Sequence, residues 1–262
     1  MIASLKRQLI EWCATYDRGF GASTSARQTI DTIVQQIQSY NTTMTHSIAA
    51  AITMTQPNQS NNNYLNKNNC TIIGNWRMIY TTAFDVLSLQ ASPFFITGAI
   101  YQVFAPSTNT AITTTTSVTN IIDFIPRFQS LLPSSFFPSL NIKPPNTLIR
   151  AKVQTRACLP QQPAPNRIGL IFDSVSIQPI ELLGIDSSTL LPPLAFDLPK
   201  LPSFGSSSGS KSSSSSSSST TTTPVVSPGY FDVTYLDEEL LIIQQNAPGG
   251  IFCLLRTNSI DP

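Results

Sequence analysis

Side chains able to do acid–base or nucleophilic chemistry are few and scattered along this chain. The single histidine, His46, stands in an Asn- and Thr-rich stretch, so a Ser-His-Asp or Cys-His arrangement would depend on a base that no regular element holds still. One histidine also supplies no histidine cluster for a metal. Cys13, Cys70, Cys158 and Cys253 lie far apart without a CxxC pair, a pattern of free packing thiols in a reducing compartment rather than of a zinc site or a disulfide framework. Carboxylates cluster only at Asp232, Asp237, Glu238 and Glu239. Asp237-Glu238-Glu239 reads as the solvated tip of a hairpin, and a general-acid pair there is the competing reading. No GxGxxG or GxxxxGK[ST] run offers a phosphate cradle. The expectation is a protein that is not an enzyme and uses no cofactor.

What remains is apolar and aromatic. Lys and Arg number 15 against 14 Asp and Glu, and only 11% of the 262 residues are charged, where a soluble domain has about 25%. A net charge of +1 gives no basic excess for neutralising phosphates, so no nucleic-acid partner is expected. Apolar residues make up 41%, with 14 Phe and 7 Tyr, enough for a sizeable core. No stretch approaches the roughly 18 apolar residues of a transmembrane helix. Lys6, Arg7 and Glu11 fall where a secretory signal needs its apolar core.

The elements that must position these residues can be read from periodicity. Leu5, Leu9, Trp12 and Tyr16 share a helical face, Gly19 and Gly21 interrupt it, and Ser25 with Gln28 forms a capping-box signature ahead of Ile30, Ile33, Val34, Ile37 and Tyr40. This predicts a helical hairpin over 1–41, packed by its apolar face on a neighbouring element; sparse positive charge speaks against a membrane-surface helix. Residues 42–71 read as a polar, Asn-rich linker, with a helical turn or two at Ile48 to Met54. From residue 72 to 262 the pattern is β, with eight runs at 75–82, 96–104, 111–124, 147–159, 167–177, 230–236, 240–244 and 251–256. In the fourth, Ile149, Ala151, Val153, Thr155 and Ala157 alternate with Arg150, Lys152, Gln154 and Arg156, giving one dry and one wet side. Eight sequential strands without intervening helices predict a mainly β fold, an antiparallel eight-strand barrel, filled by side chains or holding one small ligand. Two loops interrupt it. The first, 125–145, mixes five prolines with Phe128, Leu131, Phe136 and Phe137, and either folds back over the barrel or meets a lipid surface or partner. The second, 182–228, begins with Leu and Pro clusters and ends in a Ser/Thr tract at 203–227, which is expected to be disordered.

Several short motifs, in order, resemble one family. Residues 74–82 read Gly-Asn-Trp-Arg-Met-Ile-Tyr-Thr-Thr; residues 229–237 read Gly-Tyr-Phe-Asp-Val-Thr-Tyr-Leu-Asp; residues 250–256 read Gly-Ile-Phe-Cys-Leu-Leu-Arg. These are similar to the G-x-W-x-L-x-Y-T-T, D-x-T-Y-L-D and G-x-x-F-V-L-x-R segments of the plastid lipid-associated proteins, also called fibrillins or plastoglobulins. Gly98 to Phe104, with Ile100 and Gln102, is similar to the family's G-x-I-x-Q segment. Lys6, Leu9, the Asp17-Arg18-Gly19 turn, Arg27 and Ile30 resemble its N-terminal helices. The motif residues are Gly74, Thr81, Thr82, Gln102, Asp232, Thr234, Tyr235 and Asp237. One departure is clear: where the family has R-I-x-R after the hairpin, this chain has Leu241 and Gln244-Gln245.

The resemblance implies a lipocalin-like barrel, residence in plastids at thylakoids or plastoglobules, and an apolar lipid or isoprenoid ligand such as a quinone, carotenoid or tocopherol. It also implies a transit peptide, which is not visible before Met1. Gly74-x-Trp76 has the form of the first lipocalin motif, and Arg256 stands where lipocalins place an arginine over that tryptophan, a cation–π contact. The expected lining or floor is Trp76, Met78 and Tyr80 on the first strand, Ile149, Ala151 and Val153 on the fourth, and Arg256. The alternative role is a scaffold or activator of a prenylquinone-pathway enzyme, docking through the proline-rich loop or the hairpin. A barrel enzyme using Asp232 and Asp237 is the third.

Overall fold

The computed structural model describes residues 1–40, 72–106, 116–127, 147–158, 164, 166–182, 184–197, 229–246 and 249–260. The linker with His46 and Cys70, most of the proline-rich loop and the Ser/Thr tract lie outside them.

Two helices come first, α1 (Ile2–Thr15) and α2 (Thr24–Ser39). Asp17, Arg18 and Gly19 between them all have positive φ. Gly19 is required there, because a Cβ would stand 2.8 Å from the Thr81 carbonyl oxygen. Arg18 donates to the carbonyls of Thr97 and Gly98, which pins the turn to the barrel. The cap of α2 is Ser23, two residues before the expected Ser25: its Oγ accepts from the Ala26 N–H at 3.2 Å. The helix starts earlier because the Ser23 carbonyl already accepts from the Arg27 N–H, the first helical bond.

Among the described residues ten strands follow: β1 (Gly74–Thr81), β2 (Phe95–Pro106), β3 (Thr116–Pro126), β4 (Leu148–Cys158), β5 (Arg167–Leu182), β6 (Ile185–Asp186), β7 (Leu194–Asp197), β8 (Gly229–Leu236), β9 (Leu240–Gln245) and β10 (Gly250–Thr257). A short helix, α3 (Phe84–Leu87), joins β1 to β2. Eight of the strands run β4-β3-β2-β1-β10-β9-β8-β5, and β5 pairs with β4 again, closing an antiparallel barrel. These eight are the strands expected from the sequence. The seam between β5 and β8 is short, from Arg167 opposite Asp232 to Leu170 opposite Gly229. Arg167 clamps it by a two-pronged bond to Asp232 (2.8 and 2.9 Å) while lying 3.9 Å from the Tyr230 ring centroid.

Residues 182–228 are not wholly loop. β5 runs to Leu182, well past Leu170 where β8 leaves it, so its upper edge carries backbone groups in need of partners. β6 and β7 fold back to pair with that edge. A second departure concerns β4. Arg150, on its expected wet side, is buried and grips buried Asp123 on β3 with bonds of 2.7 and 2.9 Å. The two residues are register partners on the outer face, so each satisfies the other's charge where water is excluded.

Apolar side chains form one cluster inside the barrel and another outside it. Inside are Trp76, Met78, Phe104, Phe231, Val233, Leu241, Ile243 and Leu254 with their neighbours. Outside, Leu9, Ile30, Ile33, Val34 and Ile37 of the helices cover Tyr80, Tyr235, Ile242 and Cys253. Those four wall residues form one register row across β1, β10, β9 and β8. Strict alternation from Trp76 and Met78 would turn Tyr80 inward, and alternation from Val233 would do the same to Tyr235. A bulge between Met78 and Tyr80, and another between Val233 and Tyr235, reverses both. Tyr80 is therefore not a lining residue; it belongs to the interface that holds the helices.

Candidate functional site

The barrel has a packed end and an open end. At the packed end Trp76 is fully buried, and its indole N–H donates to the Ile72 carbonyl at 2.8 Å. The Arg256 guanidinium carbon sits 4.2 Å from the Trp76 ring centroid. Its Nε donates to the Glu238 carbonyl (2.8 Å) and its Nη1 to the Ile73 carbonyl (2.9 Å). One side chain thus ties the β8–β9 turn, the entry to β1 and the face of the indole together. Gly74 (φ +138°) makes room for it, since a Cβ there would lie 2.6 Å from Nη1. At the same end Phe104, the register partner of Gly74, meets Phe231 edge to face, with centroids 6.2 Å apart. The lower barrel is thus filled by its own side chains and leaves Trp76 as a plug.

Toward the open end β2, β3, β4 and β5 run longer than the other four strands. Paired residues of an antiparallel sheet share a face, so the register rows trace the inner wall. One row is Trp76, Gln102, Asn120, Val153, Val175 and Phe196; the next is Ile100, Ile122, Ala151, Ile177 and Leu194. A third, nearest the rim, is Phe124, Ile149 and Pro179. Ile149, Ala151 and Val153 are half-buried on this wall, whereas Trp76 and Met78 are sealed beneath it. Gln102 and Asn120 place two carboxamides side by side at its foot, next to the indole. Such a surface can hold an elongated apolar molecule and offer two amide N–H donors to a polar head.

Compared with known protein families, residues 3–255 match PAP_fibrillin. The chain belongs to the PAP/fibrillin family. No curated protein and no solved structure matches it. The family is plastid- and lipid-associated, and no described helix of this member is long and apolar enough to cross a membrane.

In this PAP/fibrillin chain the motif residues divide by position. Thr81 and Thr82 brace the edge where β1 meets β10: Thr81 Oγ1 accepts from the Ala83 N–H (3.0 Å) and Thr82 Oγ1 from the Ile251 N–H (2.9 Å). Asp232 serves the seam. Thr234 accepts from Gln38 Nε2 at 2.7 Å and donates to the Ile242 carbonyl, linking α2 to β8 and β9. Tyr235 donates to Asp237, which also accepts from the N–H groups of Glu239 and Leu240 and pairs with Lys6 of α1. Partial burial pulls the Asp237 carboxyl upward, but the bonds from Lys6, Tyr235 and the two backbone N–H groups outweigh it and hold it below the usual carboxylate value. Burial likewise opposes the Lys6 charge, yet Asp237 and Glu239 raise its pKa. Asp232 and Asp237 are thus held by separate cations on separate tasks and do not form a pair. Cys13 and Cys253 are buried free thiols; burial pushes Cys13 up to about 12 and Cys253 well above its ordinary value. At those values neither is a ready nucleophile.

Asn120, Ile122 and the β5–β7 rows did not enter the sequence expectation. The run holding Asn120 shows no clean alternation, and only the register with β2 and β4 assigns its faces.

Proposed function

We propose that this PAP/fibrillin protein holds an apolar isoprenoid with a small polar head on the open inner wall of its barrel, as a carrier or structural component at thylakoid or plastoglobule surfaces. The observation that carries this reading is the Gln102–Asn120 carboxamide pair at the foot of an apolar wall left half-open above a sealed floor. Among the candidate ligands it favours quinones and tocopherols over hydrocarbon carotenoids, because carbonyl or hydroxyl oxygens give the carboxamides an acceptor. The wall residues Ile122, Ala151 and Val153 then carry the isoprenoid tail. No step of catalysis is assigned to it, and Asp232 and Asp237 already have structural partners.

The test is a bulk substitution on the wall. Ala151→Trp places an indole on the tail path and should abolish quenching of tryptophan emission by decyl-plastoquinone, while Gln102→Leu should weaken quinone binding more than binding of β-carotene. Unchanged affinity for both ligands in both variants would refute the reading. The scaffold alternative draws less support: the apolar face of the helical hairpin is already buried against the barrel, and the proline-rich loop lies outside the described residues.

A further inference from the structure

The inner-wall rows do not stop at the barrel rim. Along one of them exposure climbs from 8% at Ile100 to 40% at Ile177 and 66% at Leu194. β7 continues the same face beyond the last barrel strand, and the neighbouring turns add more apolar surface. Ile177, Ile185, Leu190, Leu191, Leu194 and Phe196 are all at least 40% exposed, and all lie between residues 177 and 196. A cluster of this kind on one lip marks an interaction surface.

Its charge indicates the partner. Over residues 174–197 the charged side chains are Glu181, Asp186 and Asp197, a net charge of −3, with no Lys or Arg. An anionic lipid surface attracts polybasic segments and would repel this one. A surface of uncharged headgroups would accept it, with apolar side chains entering the headgroup–acyl boundary to the shallow depth typical of interfacial elements. Shallow contact also suits β7, which pairs only with β5 among the described strands, so its other edge must stay within reach of water.

We propose that the β5–β7 lip is a docking surface for a lipid interface of uncharged headgroups, and that the rows leading from it are the path by which an apolar molecule passes between that interface and the barrel wall. The second half rests on the ligand reading above.

The full chain is tested by flotation with phosphatidylcholine vesicles, with and without phosphatidylglycerol. L194D/F196D should lower vesicle binding about tenfold or more, as expected for removing two large apolar groups from the contact. The wild type should bind the phosphatidylglycerol mixture more weakly than pure phosphatidylcholine. Both substituted residues are exposed, and a second variant, I185D/L190D, should show the same loss. Undiminished flotation of both variants overturns the proposal, as does a preference for phosphatidylglycerol. So does a wild-type dimer, by light scattering, that L194D/F196D converts to monomer, because a second copy then covers the lip. Decyl-plastoquinone separates the two claims. Supplied from ethanol, it should quench I185D/L190D, whose residues lie off the wall rows, like the wild type; supplied in vesicles, it should quench that variant far more slowly. Equal rates from vesicles overturn the path. Absence of quenching by the ethanol-supplied quinone in the wild type overturns the ligand reading and with it the path, while flotation still decides the docking surface.

Discussion

Replacing Arg256 by methionine keeps the apolar stem but removes everything the guanidinium does at the packed end. Two charged N–H donors are lost, to Glu238 at 2.8 Å and to Ile73 at 2.9 Å, together with the contact 4.2 Å from the Trp76 ring centroid. Hydrogen bonds from charged groups contribute about 1.5–3 kcal/mol each, and the low end applies because Arg256 and both acceptor residues are reached by water. The cation–π contact adds about 0.5–1 kcal/mol at a partly exposed site. The sum is about 3.5–4 kcal/mol of lost stability for Arg256→Met. Arg256→Lys retains the charge but not the fork, and should lose about half of that. The assay is urea unfolding followed by fluorescence in a Trp12→Phe background, which leaves Trp76 as the sole tryptophan of the two in the chain. Native-state emission should shift to the red in Arg256→Met as the indole loses its cover. Gly74→Ala should produce a shift of the same sign, because its Cβ would displace Nη1. A loss below about 0.5 kcal/mol in Arg256→Met, with unchanged emission, would show that this residue does not secure the floor.

Three further outcomes are expected. Tyr80→Phe removes the hydroxyl bond to Asp31 (3.2 Å) and should cost about 1 kcal/mol while leaving quinone binding intact, because the ring lies outside the barrel; altered binding would return Tyr80 to the lining. Because the folded-state pKa of Asp237 is depressed, its stabilisation is complete above the unfolded value, about 3.9, and is lost as pH falls through the lower folded value. Lys6 is raised, so its share is complete below about 10.4 and is lost as pH rises through the higher folded value. Asp237→Asn should flatten the acid limb of the stability–pH profile and Lys6→Met the alkaline limb, measured by urea midpoints at stepped pH. Cys13 and Cys253 should resist iodoacetamide at pH 8 in the native protein and react once it is unfolded, read by peptide mass spectrometry.

The fold was legible because its signals are local. All eight barrel strands carry β-type runs, and the helices carry a period of 3.6 that survives any tertiary context. The resemblance of Gly74-x-Trp76 to the first lipocalin motif implied Arg256, on the last strand, as the partner of Trp76 before any distance was known. Tyr80 was misplaced for a definite reason: a single-residue bulge inverts every side chain beyond it, and nothing in Met78-Ile79-Tyr80 announces one. Arg150 was misjudged in a similar way. An arginine in an alternating strand reads as wet unless its partner is known, and Asp123 lies on another strand, 27 residues earlier. β6 and β7 escaped notice because they are short and exist to satisfy the edge of β5, a need visible only once β5 is seen to outrun β8.

The sequence by itself determined the family, the meander of eight strands, the paired helices and the low charge that excludes a phosphate-neutralising surface. These rest on composition, periodicity and short-range motifs, which need no partner to be read. Only the tertiary structure decided which face each residue occupies. It assigned Trp76 and Met78 to a sealed core, Tyr80 and Tyr235 to the seat of the helices, and Asp232 to the seam, and it joined Ala151 to Leu194 in one apolar row. Those assignments depend on register, bulges and unequal strand lengths, which arise between strands rather than within them.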